Sequence, residues 1–246
     1  MKKSILAIAA AAAMALAFTA CDPDDTLGLT GKVTLYASQV EGTQAFADGD
    51  TIRFKSALSN VKFDSTVVYD GDSIALDIDA GTLMIGSTKN IVSGNFDDLG
   101  FPLMGVNLRG ETTGTYKISC PVEDYAFYEY LMTTDWNAML VDGLVIDDVV
   151  GNLFVIAADA EAYYIGYEGE VEITKFGDNG STVDGTVNNV KAIYITLPQI
   201  EELAAMSEED RANVKLVGYF PTATFNGEIE SRRVPIDAVL QALEEE

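Results

Sequence analysis

Apolar and polar side chains alternate residue by residue along most of the chain. The alternation is clearest in five segments, which are 33–36, 52–55, 74–79, 170–174 and 190–195. A period of two is that of a β-strand, whose successive side chains point to opposite faces of a sheet. One apolar and one polar face per strand is typical of antiparallel sheets. In 190–195 both sets of positions are largely apolar, which predicts a strand covered on both faces.

Turn sequences rich in glycine, aspartate and asparagine separate these segments. They occur at 48–50, 70–72, 142–143, 151–152, 178–180 and 184–185. Such pairs supply the positive φ angles that tight hairpin turns require. Many short strands joined by such turns predict a mostly β domain. The expected architecture is an antiparallel β-sandwich, with a small β-barrel as the alternative.

Two segments have helical character. Segment 198–213 begins with Pro198, a residue that suits the first turn of a helix, and continues with good helix formers. Ser207 followed three residues later by Asp210 marks a second start. We therefore expect a short helical insertion of up to two helices near 198–213, and a short C-terminal helix over 236–243.

The first twenty residues have the pattern of an export signal. Lys2 and Lys3 are followed by an apolar run over 5–17 and then by small residues before Cys21. The run is shorter than the roughly 20 apolar residues that a membrane-spanning helix requires. Cleavage without lipidation is the simplest alternative for such a signal.

The residues around the expected cleavage point resemble those of bacterial lipoproteins. Phe18-Thr19-Ala20-Cys21 is similar to their signal motif, with Phe18 where leucine is usual. The resemblance implies cleavage before Cys21 and acylation of that residue. Asp22-Pro23-Asp24-Asp25 resembles the acidic surface-export signals of Bacteroidota lipoproteins, and also suits a solvated tether. The expected organisation is a signal peptide at 1–20, a lipidated cysteine with an acidic tether at 21–31, and one β-rich domain at 32–246.

The chain is strongly acidic. Its formal net charge is −24, and loss of residues 1–20 would remove two lysines and no acid. Such a charge repels nucleic acid, so no nucleic-acid partner is expected. It is compatible with a neutral or basic partner, and we consider both a glycan and a protein. The membrane, contacted through the lipid anchor, is the other expected partner.

The chain contains no histidine, which excludes the catalytic nucleophile pairs and metal sites that depend on imidazole. It also lacks a phosphate-binding glycine loop and a dinucleotide-binding fingerprint. Carboxylate chemistry remains, chiefly glycoside hydrolysis by two placed acids. With 39 acids in the chain, composition alone selects no pair. No catalytic residue and no cofactor are therefore predicted.

Four aspartates in turns are candidates for calcium ligands. They are Asp48, Asp50, Asp70 and Asp72. Turn carboxylates suit calcium, but their spacing does not match the twelve-residue EF-hand loop. Asp-Gly-Asp is also ordinary turn chemistry, and this second interpretation is favoured.

Two groups of aromatic residues are candidates for a recognition surface or for core packing. The first group contains the ligand-binding candidates Tyr125, Tyr128, Tyr130 and Trp136, and the second contains Tyr163, Tyr164 and Tyr167. Exposed aromatics can stack on sugars or bind a protein partner. Aromatics are also common core and strand residues, which favours the packing interpretation.

Three segments together resemble a family of uncharacterised Bacteroidota surface lipoproteins. They are Gly114-Thr115-Tyr116, Gly169-Glu170-Val171-Glu172-Ile173-Thr174 and Val183-Asp184-Gly185-Thr186, with Val187 where the family commonly has phenylalanine. The resemblance implies a β-sandwich-like fold and no agreed activity. We expect an outer-membrane lipoprotein on the cell surface, or alternatively facing the periplasm. Its expected role is non-catalytic binding or envelope structure, with a glycoside hydrolase or glycan-processing accessory protein as the alternative.

Overall fold

The computed structural model describes residues 31–54, 56–69, 72–88, 102–110, 112–119, 151–157, 162–178, 181–211 and 213–233. These residues form a mostly β structure with a few short helices. The strands are β1 (Lys32–Ser38), β2 (Thr51–Phe54), β3 (Ser56–Tyr69), β4 (Asp72–Thr88), β5 (Leu103–Arg109), β6 (Gly114–Ile118), β7 (Gly151–Ala157), β8 (Ala162–Phe176), β9 (Thr182–Thr196) and β10 (Thr222–Arg233). The helical segments are α1 (Leu197–Ala205), α2 (Glu208–Arg211) and α3 (Leu216–Tyr219).

All ten strands belong to one sheet that curls into a half-barrel. Neighbouring strands are antiparallel, except where the end of β10 pairs with β3 in parallel over two residues. The mostly β, antiparallel prediction is therefore confirmed. A single curved sheet is compatible with both of the architectures expected from the sequence, the β-sandwich and the small β-barrel. The predicted C-terminal helix over 236–243 lies outside the described residues.

The concave face of the sheet is the core. Its described side chains come from β1, β2, β5, β6, β7, β8, β9 and β10, and most have less than 5% of their surface exposed. Burying one such aliphatic side chain contributes roughly 1.5–3 kcal/mol. The apolar positions of the alternating segments around Leu35, Phe54 and Val171 all point inward, as expected.

Part of the convex face is also buried, beneath the helical segment. Ile193 and Ile195 of β9 lie on this side, opposite Val190 and Ala192. The α1–α3 region contributes further buried side chains, which are those of Ile200, Leu203, Leu216 and Phe220. The prediction that strand 190–195 is covered on both faces is confirmed, because the connection between β9 and β10 folds back over it.

The helical insertion starts and restarts where the sequence predicts. The Oε1 atom of Gln199 accepts hydrogen bonds from the backbone N–H and the hydroxyl of Thr196, each at 2.9 Å, just before α1. Ser207 then starts α2, where its hydroxyl oxygen accepts a hydrogen bond from the N–H of Asp210 at 3.1 Å. Because the two starts are separate, the segment contains two short helices and not one continuous helix.

Two predicted turns are wrong. Gly151-Asn152 begins β7, and Asp184-Gly185 lies inside β9. The glycines serve close packing there: a Cβ atom at Gly185 would overlap the backbone carbonyl of Glu172 on β8. Local turn chemistry cannot distinguish this use of glycine from a hairpin, since the neighbouring strand is distant in sequence.

The three segments with the lipoprotein resemblance form adjacent strands. Gly114 of β6 and Gly185 of β9 both pair with Ile173 of β8, one from each side. Tyr116 follows on β6 and donates a hydrogen bond from its hydroxyl to the carbonyl of Thr112 at 2.6 Å. The tyrosine thus holds the residues that precede β6 in place, which gives the Gly-Thr-Tyr segment a structural role.

Both β8 and β9 contain an extra residue that keeps their apolar side chains on the concave face. In β9, Val187 and Val190 both point inward, although they are three positions apart and strict alternation would place them on opposite faces. Asn189 takes up the extra residue with a φ of 50°. In β8 the irregularity includes Gly169, whose φ is 134°. Such bulges increase local twist and bend a sheet.

We expect Gly169→Ala to lower the free energy of unfolding by about 1–3 kcal/mol. The added Cβ would lie 2.6 Å from Val190 Cα and 2.7 Å from the carbonyl oxygen of Asn189, at a φ that side chains rarely adopt. Gly42→Ala is the control, because Gly42 also has a positive φ but no atom lies within 4 Å of its added Cβ. Chemical denaturation measures both. Equal losses would contradict a specific role for the Gly169 bulge.

Candidate functional site

The sequence-predicted site residues fall into two groups. Outside the described residues lie Cys21, Asp70, Tyr125, Tyr128, Tyr130 and Trp136, so the proposals made for them stay predictions. Asp72 is the first residue of β4, and Asp48 and Asp50 lie in the loop that joins β1 to β2.

Asp48 and Asp50 stabilise this loop, residues 39–50, which we call the β1–β2 loop. The Oδ2 atom of Asp50 accepts a hydrogen bond from the N–H of Ala47 at 2.7 Å. The Oδ1 atom of Asp48 accepts one from the N–H of Val40 at 3.4 Å. Both carboxylates thus have the backbone partners that aspartate commonly finds in turns. Across the described ranges, no group of three or more histidine, cysteine, aspartate or glutamate residues could hold a metal ion.

The β1–β2 loop closes one end of the concave face. The N–H of Glu41 and the Nε2 atom of Gln44 both donate to the carbonyl oxygen of Thr222, each at 2.9 Å. The Oε2 atom of Glu41 accepts a hydrogen bond from the N–H of Thr222 at 3.0 Å. Phe46 stacks on Tyr164 with 5.3 Å between the ring centroids. The loop is therefore fixed at the start of β10 and by one aromatic contact.

Tyr164 is the centre of an aromatic cluster beneath this loop. Its ring is fully buried and contacts Tyr194 and, edge-on, Phe225, with centroid distances of 4.9 and 5.1 Å. Its hydroxyl oxygen accepts a hydrogen bond from the N–H of Phe46 at 3.1 Å. Burial raises the pKa of Tyr164 well above its ordinary value of 10.0, because a buried phenolate would lose its hydration. For Tyr164 the packing interpretation is thus confirmed, and buried Tyr163 agrees with it.

The uncovered part of the convex face carries the exposed polar groups of the sheet. Two rows of cross-strand neighbours run over β2, β1 and β10. The first row is Thr51, Tyr36 and Asn226, and the second is Arg53, Thr34 and Glu228. We call these six residues the convex platform. Since neighbouring strands are about 4.8 Å apart, each row spans about 10 Å.

Tyr36 is the aromatic centre of the convex platform. It is 43% exposed, and Tyr219 of α3, at 49%, is the other exposed large hydrophobic residue among those whose exposure is described. Sequence reasoning placed Tyr36 at a polar position of an alternating strand but did not select it. A tyrosine at an outward position between Thr34 and Ser38 was the signal that could have identified it.

The polar groups of the convex platform have few partners within the protein. The side chains of Thr34, Thr51, Arg53 and Glu228 form no hydrogen bond or ion pair in the described part of the chain. Asn226 uses Oδ1 to accept a hydrogen bond from the N–H of Asn189 at 2.9 Å, which leaves its amide N–H groups free to donate. These groups therefore face solvent on a rigid sheet and could bind a polar ligand.

Exposed ion pairs occupy the convex face beside the platform. They are Lys32–Glu230 at 3.3 Å, Lys175–Asp184 at 3.7 Å and Lys191–Glu168 at 2.8 Å. The hydrogen bond from Lys191 to Glu168 raises the pKa of the lysine. Exposed pairs of this kind contribute little to stability. They do neutralise part of the acidic surface around the platform.

The described carboxylates lie at the surface. Thr224 and Ser231 are the buried polar residues among those whose exposure is described, and no aspartate or glutamate is buried with them. Glu170 and Glu172 of β8 are exposed on the convex face. A surface position provides little of the desolvation that tunes catalytic acids.

Comparisons of the chain with models of protein families, with curated sequences and with solved structures give no match. Across the described ranges, α1, α2 and α3 are each too short to cross a membrane. The geometry of the described residues and the N-terminal pattern therefore carry the functional interpretation.

We expect Tyr164→Phe to reduce the loss of stability at alkaline pH. The unfolded chain loses this phenolic proton near pH 10, whereas the folded protein keeps it, so stability is full below pH 10 and falls as the pH rises further. The slope attributable to this residue is at most about 1.4 kcal/mol per pH unit. Urea denaturation at pH 9 to 12 measures it. The exposed Tyr36→Phe variant is the control, and identical slopes in the two variants would contradict the prediction.

We expect calcium and a chelator to give the same melting temperature within about 1 °C. A calcium site present in the folded state alone would stabilise it by about 2.7 kcal/mol at a hundredfold excess over Kd, and a shift of several degrees would result. Differential scanning calorimetry measures the difference. A calcium-dependent shift that disappears in Asp48→Asn or Asp50→Asn would show that these carboxylates bind the ion.

Proposed function

We propose that this protein is a bacterial lipoprotein anchored to the outer membrane through acylated Cys21, with its β domain on the cell surface. The order of positive residues, apolar run, small residues and cysteine supports the anchor. The acidic stretch after Cys21 supports surface export. The domain acts by binding, or as a structural component of the envelope.

The filled concave face is the observation that favours binding over catalysis. Core residues from six strands, including Leu35, Val106 and Val155, have no exposed surface. At these positions the concave face offers a substrate no entry. Contacts with a partner would therefore be made on the outside of the sheet.

A glycoside hydrolase needs a different arrangement of acids. It places two carboxyl groups about 5–9.5 Å apart on either side of a bound glycosidic bond. The described carboxylates lie on the convex face and in loops, where substrate would contact them from one side. No observation on the described residues favours this alternative.

The position of β1 relates the domain to the proposed anchor. Ten residues, 22–31, separate Cys21 from Lys32 at the start of β1. A chain of that length spans at most about 35 Å. Tyr36 lies four residues further along β1, about 13 Å farther from the tether. The convex platform would thus lie on the part of the sheet that points away from the membrane.

We expect Cys21→Ala to release the protein from membranes without unfolding the domain. The variant loses the acyl chains, which anchor by roughly 0.8 kcal/mol per buried methylene. Cell fractionation followed by a high-salt wash measures membrane retention. Cys120→Ala is the control, because it removes the other cysteine and leaves the proposed anchor intact.

Retention of Cys21→Ala in the washed membranes would overturn the anchor. Protease treatment of intact cells tests surface exposure, and full protection of the wild type would place the domain on the periplasmic side. Release of reducing sugar from a polysaccharide by the purified protein would overturn the non-catalytic role.

A further inference from the structure

We propose that the convex platform binds a neutral polysaccharide, with a sugar ring stacked on Tyr36. The proposal rests on the proposed function, since it names the ligand of a binding domain. It starts from Tyr36, the exposed aromatic among the strand residues whose exposure is described; Tyr36 is 43% exposed and lies in the middle of the Thr51–Tyr36–Asn226 row. A flat aromatic side chain on a strand presents its surface at low entropic cost.

The groups around the ring match the hydroxyl groups of a sugar. Arg53 and the amide of Asn226 donate hydrogen bonds, Glu228 accepts them, and the threonine hydroxyls do both. These groups are not used within the described structure, apart from the Oδ1 atom of Asn226. A ligand would therefore gain hydrogen bonds without breaking existing ones.

The charges of the platform and of the whole chain favour a neutral polysaccharide over an acidic one. The convex platform contains one cation, Arg53, and one anion, Glu228, so it is neutral within a chain of net charge −24. The surrounding field repels an acidic polysaccharide and equally repels a nucleic acid. A neutral polymer meets no such barrier, and its hydroxyl groups use both charges of the platform as hydrogen-bond partners.

The fold supports this face and leaves it open. The convex face is buried at Ile193 and Ile195, in the region of helices α1–α3. It is exposed at Thr51, Arg53 and Glu228. The platform lies on paired strands and not on loops. Little ordering is thus required on binding, and the 10 Å rows allow an extended polymer to lie across the strands.

The test measures binding of the mature lipoprotein, in nonionic detergent, to wells coated with mannan, xyloglucan, a neutral β-glucan or polygalacturonate. We expect saturable binding to at least one neutral polymer and none to polygalacturonate. Tyr36→Leu should weaken that binding roughly tenfold or more, whereas Tyr36→Phe should retain it, because stacking needs the ring and not its hydroxyl. Tyr219→Ala is the matched control, since it removes the other exposed tyrosine and should have no effect.

Several results would overturn the proposal. They are absence of binding to every neutral polymer, stronger binding to polygalacturonate, or equal binding by wild type and Tyr36→Leu. Thermal melting of each variant verifies folding, and Arg53→Gln provides a second loss-of-contact variant on the same row. If no polymer binds while Cys21 still anchors the protein, the ligand is wrong and the lipoprotein proposal stands.

Discussion

The structure depends on keeping one face of a bending sheet apolar along β8 and β9, which have 15 residues each. Strict alternation keeps the apolar residues on the same face as long as the strand is regular. In β9 the inward positions change from odd to even numbers between Val187 and Val190, and Asn189 absorbs the difference. If the strand alternated regularly through Asn189, Val190 and Ala192 would face outward. The bulge therefore lets one core continue across the bend.

The convex face has a part that is buried and a part that is exposed to solvent. Near the end of β9, Ile193 and Ile195 are apolar on the outside and must be covered, because exposed aliphatic surface is costly. The connection to β10 contains the helices that supply Ile200 and Leu203 for this purpose. On β1, β2 and the part of β10 that pairs with β1, the outside of the sheet is mainly polar and carries threonine, asparagine and charged residues around Tyr36. The convex platform lies in this polar area.

The β1–β2 loop connects the packed interior to this surface. It places Phe46 on the buried ring of Tyr164 and bonds to Thr222 at the start of β10. The strands that flank it, β1 and β2, carry four of the six platform residues. Fixing the loop therefore also fixes the register of the strands that present Tyr36.

The sequence by itself determined what depends on local pattern. Period-two alternation predicted segments that lie in β1, β2, β4, β8 and β9, and Ser207 with Asp210 marked the second helix, because capping and strand periodicity are local. Alternation did not single out the other strands, such as β5, β7 and β10. The N-terminal pattern around Cys21 is likewise readable without a fold, although its test lies in the membrane and not in the domain.

Tertiary structure decided which residues share a surface. Gly185 resembled a turn residue, yet it lies within β9 because the backbone of β8 approaches too closely for a Cβ. Tyr36 and Asn226 are 190 positions apart, and β1–β10 pairing makes them neighbours. Alternation assigns each residue to a face of its own strand but carries no information about which strand lies beside it. The convex platform could therefore be recognised only after the strands were paired.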